Sequence, residues 1–332
     1  MPANIKCNLC GADDAKFLHR RKFDNGVVHK YAKCRRCGFV YVNPLMSEKE
    51  LAKFYEDDYY VFDELYDKLN EENSVRDFED IKKTVGSGEK KILDIGCAKG
   101  FLLNAAKKSG WETYGIDISA PAAAIARKKF GLDVFTGPIE SAPYKNEFFD
   151  VICAFDYLEH VRNPFKALDK MSKMLRRGGT LVIEVPNIKS IYYKMTRKYW
   201  SVFNPFHIYH FTPKTLSSMM RKAGLEPVKI VTPNVNLLST EGLIRSGLLI
   251  FAYSLLSKIG LKKAMLRMAG SKVGKKQGNE VKLSEKMFKS WAVADEFEMN
   301  RHVKSALNYV PNLILGNALK MGDSLKIYAR KK

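Results

Sequence analysis

The sequence lacks the features that mark secreted or membrane-spanning proteins. It opens Met1-Pro2-Ala3-Asn4 and has no apolar segment typical of a signal peptide. The apolar stretch between Arg245 and Lys258 holds twelve uncharged residues, whereas a bilayer-spanning helix needs about twenty. We therefore expect a cytoplasmic protein whose six cysteines are reduced.

Acidic residues are scarce in the second half of the chain. Residues 186–332 hold 26 Lys and Arg against 8 Asp and Glu, while residues 1–185 hold 30 against 28. The net charge of +20 therefore belongs almost wholly to the second half. Such a surface attracts the phosphates of nucleic acid or of an anionic membrane, but it can also be a solvated exterior. Charge alone does not choose among these three.

Two Cys-x-x-Cys pairs stand near the start of the chain. Cys7 and Cys10 form the first, Cys34 and Cys37 the second, and 23 residues separate the pairs. Four thiolates at this spacing suit a closed tetrahedral zinc site, which stabilises structure and performs no chemistry. We predict a zinc ribbon over residues 1–45. The acidic, aromatic-rich residues 46–90 predict helices that link it to a core and form a wall of the active site or pack on the core.

A βαβ unit with a nucleoside-binding arrangement follows. Lys91–Ile95 predicts a buried strand that enters a glycine turn at Gly96, and Phe101–Ser109 predicts a helix. The next strand, Thr113–Ile116, ends on Asp117, twenty-one residues beyond Gly96. A carboxylate at the tip of the second strand accepts hydrogen bonds from ribose hydroxyls, while the glycine turn lets backbone approach the ligand.

The glycine turn departs from the dinucleotide fingerprint, because Ala98 and Phe101 stand where that pattern has its second and third glycines. It resembles motif I of class I S-adenosylmethionine-dependent methyltransferases. The likeness continues through Gly137–Glu140, Phe148–Ile152, Leu158–Val161, Leu175–Gly179 and Val182–Asn187. The resemblance implies S-adenosylmethionine as cofactor, with Asp94, Gly96 and Gly100 at its methionine part, Ile139 and Glu140 beside adenine, and Phe155 and Asp156 facing its reactive end.

The resemblance also implies the fold. We expect an α/β, Rossmann-like core with a seven-stranded, mostly parallel sheet, formed by residues 91–232 and 323–332. Ser324–Arg330 resembles the last, antiparallel strand that methyltransferase sheets insert beside the sixth. Residues 233–322 are then a basic helical insertion before the last strand.

Two further resemblances compete for the catalytic residues. The stretch ending His210-Phe211 is similar to the region of sugar C-methyltransferases that supplies a histidine base, which implies His210, with His207 as the second candidate. Asp156-x-x-Glu159-His160 resembles the Glu-x-x-Glu-His motif of ubiquinone-pathway and small-RNA 2′-O-methyltransferases. That likeness implies a magnesium-type ion, held in the RNA enzymes with a later histidine.

The segment Asp156–His160 also has a purely structural interpretation. Its three polar residues, at i, i+3 and i+4, would lie on one face of a helix. Asp-x-x-Glu at a helix start is also a capping box, in which Asp156 accepts from the Glu159 amide. Metal binding and capping both stay open, and they can coexist.

The insertion carries an apolar stripe at helical spacing, from Ile244 to Ile259, followed by a lysine cluster. This pattern predicts either a helix lying on an anionic membrane surface or a cap helix packed on the core. We expect a methyltransferase acting on a hydroxyl of a sugar, a lipid-linked glycan or a lipid, peripheral on the cytoplasmic membrane face. The alternatives are an RNA methyltransferase and a non-catalytic interaction module.

Overall fold

A computed structural model of the chain describes residues 4–23, 26–47, 64–200, 202–233 and 322–332. The apolar stripe and lysine cluster of the insertion, and the aromatic residues 54–60 of the linker, lie outside these ranges. Membrane contact and an active-site wall therefore stay predictions. Among the described residues, no helix is both long and apolar enough to span a bilayer.

The described elements alternate between strands and helices. The strands are β1 (Ala15–Lys22), β2 (Val28–Cys34), β3 (Val40–Val42), β4 (Lys91–Ile95), β5 (Glu112–Asp117), β6 (Asp133–Thr136), β7 (Phe149–Phe155), β8 (Leu175–Pro186), β9 (Tyr209–His210), β10 (Leu225–Val231) and β11 (Ser324–Lys331). The helices are α1 (Glu64–Val85), α2 (Phe101–Lys108), α3 (Ala120–Phe130), α4 (Pro164–Met174), α5 (Ile191–Thr196) and α6 (Pro213–Lys222).

The larger sheet has seven strands in the order β10-β11-β8-β7-β4-β5-β6. Neighbours from β8 to β6 pair in parallel, while β11 is antiparallel to both β8 and β10. The predicted Rossmann-like, mostly parallel seven-stranded sheet is confirmed, and so is the insertion of the last strand between its two neighbours. Helices cover the parallel strands, so the apolar residues of β4, Ile92, Leu93 and Ile95, are fully buried.

The strand order reverses at β4, which has β5 on one side and β7 on the other. In such sheets the ligand crevice opens beyond the carboxyl ends of the strands at the point of reversal. Asp117 ends β5 and Phe155 ends β7, while the glycine turn follows β4 directly. The topology therefore gathers the predicted cofactor residues at one edge of the sheet.

The smaller sheet joins the N-terminal segment to the core. It is antiparallel, in the order β1-β2-β3-β9, and its fourth strand comes from the core. Val40 pairs with His210 and Tyr41 with Tyr209, and the Val42 amide donates to the Ile208 carbonyl at 2.9 Å. The predicted boundary at residue 45 is therefore crossed by a continuous sheet.

A substitution at Gly100 would test how closely the cofactor turn is packed. Its φ is +79°, and an added Cβ would lie 2.5 Å from Leu132 Cδ1. Gly110 has a similar φ of +81° but open space around it. We expect Gly110→Ala to lower the free energy of unfolding by about 1 kcal/mol through backbone strain. Gly100→Ala should lose a further 1–3 kcal/mol, roughly, through overpacking. Urea denaturation measures both, and equal losses would contradict the close packing at Gly100.

Candidate active site

The four predicted zinc ligands lie together. All four Sγ atoms of Cys7, Cys10, Cys34 and Cys37 lie within 4.8 Å of one another, with separations of 3.5 Å between Cys7 and Cys37 and between Cys10 and Cys34. Zinc bound at about 2.3 Å sets tetrahedral sulfurs about 3.8 Å apart. The four cysteines are free thiols, and burial raises the pKa of Cys7 to about 11. The donor set therefore fits structural zinc, whose charge would hold the buried sulfurs as thiolates.

The first cysteine pair docks on the core. Asn8 donates to Asn163 Oδ1 at 3.1 Å and accepts from the Phe165 amide at 3.1 Å, at the start of α4. Lys222, at the end of α6, donates to the Leu9 carbonyl at 2.5 Å. Together with the pairing of β3 and β9, these contacts make the position of the ribbon sheet depend on the cysteine cluster.

The cofactor residues form a carboxylate-lined turn. Each Asp117 oxygen accepts a backbone N–H at 2.7 Å, from Ala98 and from Ser119, and a carboxylate oxygen can accept more than one hydrogen bond. Gly96 has a φ of +78°, and an added Cβ would lie 3.2 Å from the Tyr157 ring. Asp94 is buried beneath the turn, and burial, with a smaller contribution from the Asp117 charge, raises its pKa to about 7.

The other predicted cofactor residues flank this turn. Ile139 is buried and Glu140 is exposed in a short 3₁₀ turn. The Gly137 amide, two residues before Ile139, donates to the Asp117 carbonyl at 2.9 Å. Phe155 is half-buried at the end of β7. Their contacts with the cofactor stay predictions.

The segment after β7 is a turn, so the expected helix over Asp156–His160 is wrong. Asp156 has a φ of +47°, and the segment forms bends and turns. Helix α4 begins only at Pro164, where Asn163 Oδ1 accepts from the Lys166 amide at 2.9 Å. The expected capping box at Asp156 is therefore also wrong, because asparagine followed by proline provides the helix start.

The turn brings Glu159 and His160 together with His207, and we call these three residues the Glu159 group. Their potential ligand atoms all lie within 4.8 Å of one another. The His160 and His207 rings meet edge to face, with centroids 4.6 Å apart. The Ile208 amide donates to the Glu159 carbonyl at 2.9 Å, which fixes the turn against the strand entering the ribbon sheet. Asp156 lies outside this group and near Glu184 and Lys326.

The electrostatics of the Glu159 group suit a cation. Glu159 is fully buried, and neither carboxylate oxygen has a hydrogen-bond partner. Burial, and then the Asp156 charge, raise the pKa of Glu159 well above its ordinary value. Burial lowers the pKa of His160 to about 4 and that of His207 far below its usual range. A carboxyl group whose neutral form is favoured and two neutral imidazoles therefore face one another. A bound cation would favour the ionised carboxylate, which completes a donor set typical of divalent-metal sites.

His210 is placed apart from the Glu159 group. It is buried on β9 among aromatic rings, 4.7 Å from Phe203, 5.4 Å from Tyr31 and 6.0 Å from Trp200. Burial lowers its pKa to about 3, which makes the ring neutral and a weak base. Its predicted catalytic role stays a prediction.

Two buried lysines that the sequence analysis passed over hold α1 on the core. Lys326 contacts Asp77 at 2.6 Å and Glu184 at 2.7 Å, and its ammonium lies 4.8 Å from the Phe155 ring centre. Lys99, in the glycine turn, contacts Asp67 at 2.6 Å. The position of Lys326 among the apolar residues of the last predicted strand could have indicated a buried ion pair. Helix α1 is thereby fixed beside the cofactor turn.

We expect Cys37→Ser to lower the zinc content of the purified protein from about one ion per chain, the capacity of one four-cysteine site. Because the Val42 amide at the end of β3 donates to the Ile208 carbonyl beside β9, hydrogen exchange at the Val42 amide should become faster. Metal analysis and exchange mass spectrometry provide the measurements. Cys97→Ser, outside the cluster, is the control and should retain zinc; equal zinc loss in both variants would contradict the assignment.

We expect Asp94→Asn to stabilise the ligand-free protein at pH 8 but not at pH 4. A carboxyl group whose folded pKa is raised from 3.8 to about 7 binds more protons folded than unfolded, so its penalty grows between those values. Removing it should gain at most about 4 kcal/mol at pH 8. Urea denaturation at the two pH values tests this, and a gain of the same size at pH 4 would show that Asp94 is not the cause.

Comparison with known proteins agrees with this geometry. Residues 62–230 match the family model described as Methyltransferase domain. A ubiquinone biosynthesis O-methyltransferase of Azoarcus sp. is 30% identical over 158 residues, 44% of this chain and 68% of that protein. An uncharacterized protein of Methanocaldococcus jannaschii is 30% identical over 176 residues, 51% of this chain and 82% of that protein.

Among solved structures, a SAM-dependent methyltransferase from Archaeoglobus fulgidus is similar, with 19% identity and a TM-score of 0.48. The match covers 79% of this chain and 94% of that one. The matched family region, residues 62–230, contains the cofactor turn and the Glu159 group. The cysteine pairs lie before it.

Proposed function

We propose that this chain methylates a hydroxyl group. The chain belongs to the methyltransferase domain family and takes its methyl group from S-adenosylmethionine. The acceptor we propose is a sugar, a lipid-linked glycan or a lipid. The observation that carries the proposal is the Glu159 group: a buried carboxylate without a hydrogen-bond partner faces two neutral imidazoles. Such a group can assist the loss of a proton, which a hydroxyl acceptor requires and a more nucleophilic amine does not.

The position of the group supports this role. Tyr157 packs on Gly96 of the cofactor turn, and Glu159 follows only two residues later. The acceptor can therefore lie between the methyl donor and the Glu159 group. The O-methyltransferase name of the Azoarcus relative also favours oxygen.

The reaction is an in-line displacement. The acceptor oxygen forms a bond to the methyl carbon while the carbon–sulfur bond breaks, and the positively charged sulfonium leaves as a neutral thioether. Asp117 holds the ribose and Gly96 allows the close backbone approach, so these residues orient the methyl group. The hydroxyl proton passes to Asp156, the residue that follows β7 and lies near Glu184.

The Glu159 group would hold a divalent ion, which lowers the pKa of a bound hydroxyl. His207 Nδ1 donates to the Val202 carbonyl at 2.9 Å, which orients the ring and leaves Nε2 as the ligand atom. Two nitrogen donors and one carboxylate favour a manganese-, iron- or zinc-type ion over the predicted magnesium, which prefers oxygen ligands.

We expect Glu159→Gln to lower kcat at least a hundredfold, roughly the contribution of assisted proton removal. The substitution keeps the side-chain shape and removes the charge, so S-adenosylmethionine affinity should stay unchanged. Methyl-radiolabelled S-adenosylmethionine, supplied with separate total RNA, lipid and soluble-sugar extracts, provides the assay. Glu147→Gln, at an exposed carboxylate 3.2 Å from Lys331, is the matched control.

The same assay separates the alternatives. Label in the lipid or sugar fraction supports the proposal, while label in RNA favours the nucleic-acid alternative. A wild type that labels none of these fractions while binding the cofactor favours the interaction module. After chelation with verified retention of the ribbon zinc, Mn²⁺ should restore turnover better than Mg²⁺. Full turnover without a second ion would contradict a metal role for the Glu159 group. The proposed proton transfer to Asp156 would then be the remaining step to test.

A further inference from the structure

Unpartnered polar atoms are concentrated in one buried place, between the ribbon sheet and the segment that joins α5 to β9. We call its residues the polar-ring cluster: His19, Tyr31, Trp200 and His210, which surround Phe203. His19 Nε2, the Tyr31 hydroxyl, Trp200 Nε1 and both His210 ring nitrogens are buried without a hydrogen-bond partner. Tyr31 and Trp200 are fully buried, and His210 is 2% exposed.

The rings of the cluster are in direct contact. Phe203 lies at the centre, with ring centroids 4.3 Å from Tyr31, 4.6 Å from His19 and 4.7 Å from His210. Trp200 lies 5.3 Å from Phe203 and 6.0 Å from His210. The five orphaned atoms therefore belong to one site and not to scattered positions in the core.

Burying several unpartnered polar atoms together is costly, since each such group costs about 1–3 kcal/mol. Neighbouring side chains show that the fold can satisfy such groups here. The Tyr209 hydroxyl, next to His210 in sequence, donates to the Arg162 carbonyl at 2.7 Å. His29 Nε2 also has a partner, the Pro205 carbonyl at 2.9 Å, while His29 Nδ1 has none. The unmet groups of the polar-ring cluster thus point to a ligand that would satisfy them.

The chemistry of the cluster indicates which class of ligand it can bind. Burial lowers the pKa values of His19 and His210 and raises that of Tyr31, so all four polar rings are neutral at pH 7. Neutral donors and acceptors on aromatic rings suit an uncharged ring with hydroxyl groups, which stacks on the rings while its hydroxyls meet their polar atoms. None of the four polar rings carries a charge to pair with a phosphate or carboxylate. Arg21 and Lys198, whose charges add to the effect of burial in lowering the pKa of His19, are not part of the cluster.

The cluster adjoins the proposed reaction site. His207 of the Glu159 group and His210 of the polar-ring cluster are three residues apart, on the segment that enters β9. Trp200 and Phe203 lie on the preceding segment, where Arg21 of β1 donates to the Trp200 carbonyl at 2.8 Å. A molecule in the cluster would therefore contact both the ribbon sheet and the core.

We propose that the polar-ring cluster is the acceptor-recognition subsite and binds an uncharged, hydroxyl-bearing ring in the place that Phe203 occupies here. This inference rests on the proposed function, because it names the part of the acceptor that the enzyme recognises. The ribbon then contributes His19 and Tyr31 to specificity. A sugar ring and the hydroxylated ring of a lipid share this chemistry.

Tyr31→Phe and Tyr209→Phe form a matched pair of tests. Each removes one buried hydroxyl and keeps the ring, but only the Tyr209 hydroxyl has a partner. We expect Tyr31→Phe to melt at or above the wild-type temperature, since replacing an unmet polar group with an apolar one relieves its cost. Tyr209→Phe should melt lower. His19→Phe provides a second variant and should behave as Tyr31→Phe does.

The transfer assay reads out recognition. Graded dilutions of the lipid and soluble-sugar extracts give the acceptor concentration at half-maximal rate. Tyr31→Phe should raise this concentration at least tenfold and leave kcat within twofold, whereas Tyr209→Phe should leave both near wild type. Label in the sugar fraction identifies a sugar ring, and label in the lipid fraction identifies a hydroxylated lipid ring.

Two results would overturn the subsite while leaving the proposed function intact. One is a Tyr31→Phe variant that melts as low as Tyr209→Phe, which would mean that the hydroxyl is satisfied in the free protein. The other is an unchanged half-saturating concentration in Tyr31→Phe and His19→Phe. A wild type that labels neither extract would instead overturn the proposed acceptor class, and the ligand class inferred here would fall with it.

Discussion

The pairing of β3 with β9 is the interaction on which the rest of the site depends. It is short, with Val40 opposite His210 and Tyr41 opposite Tyr209, yet it joins the N-terminal sheet to the core. The strand β9 begins two residues after His207, so the same pairing fixes the two histidines that face different clusters. Under the proposed function, residues 1–45 are therefore part of the active site, although a closed four-cysteine site would perform no chemistry itself.

The two clusters on either side of β9 use burial differently. In the Glu159 group, low polarity raises the pKa of a carboxylate and lowers those of two imidazoles, which prepares them for one positive charge. In the polar-ring cluster, burial keeps every ring neutral, which prepares the site for an uncharged ring. Unmet polar groups of both kinds reduce the stability of the free protein, and the apolar core around them offsets this cost. Under the proposed function, ligand binding is the physical reason to retain them.

The sequence predicted the sheet and the cofactor turn well, because both depend on local patterns. Alternation of apolar strands and glycine turns marks β4, β5 and Asp117, and the strand order follows from the βαβ connections. The helix predicted at Asp156–His160 failed because its polar spacing suits a helix, whereas the positive φ of Asp156 and the Asn163-Pro164 start place the helix later. The spacing of polar residues alone does not predict the backbone conformation of a turn.

The sequence analysis did not predict which distant residues come together, and the reason is different. Glu159 and His207 are 48 positions apart, and Tyr31 belongs to the predicted ribbon while His210 belongs to the predicted core. Their contacts exist because β9 pairs with β3 of the ribbon, and the local periodicity of the sequence does not predict this pairing. His207, the weaker candidate by resemblance, joins the Glu159 group for this reason, while His210 turns toward the ribbon. The proposed catalytic and recognition clusters are thus joined by one short segment, because His207 lies before β9 and His210 lies within it.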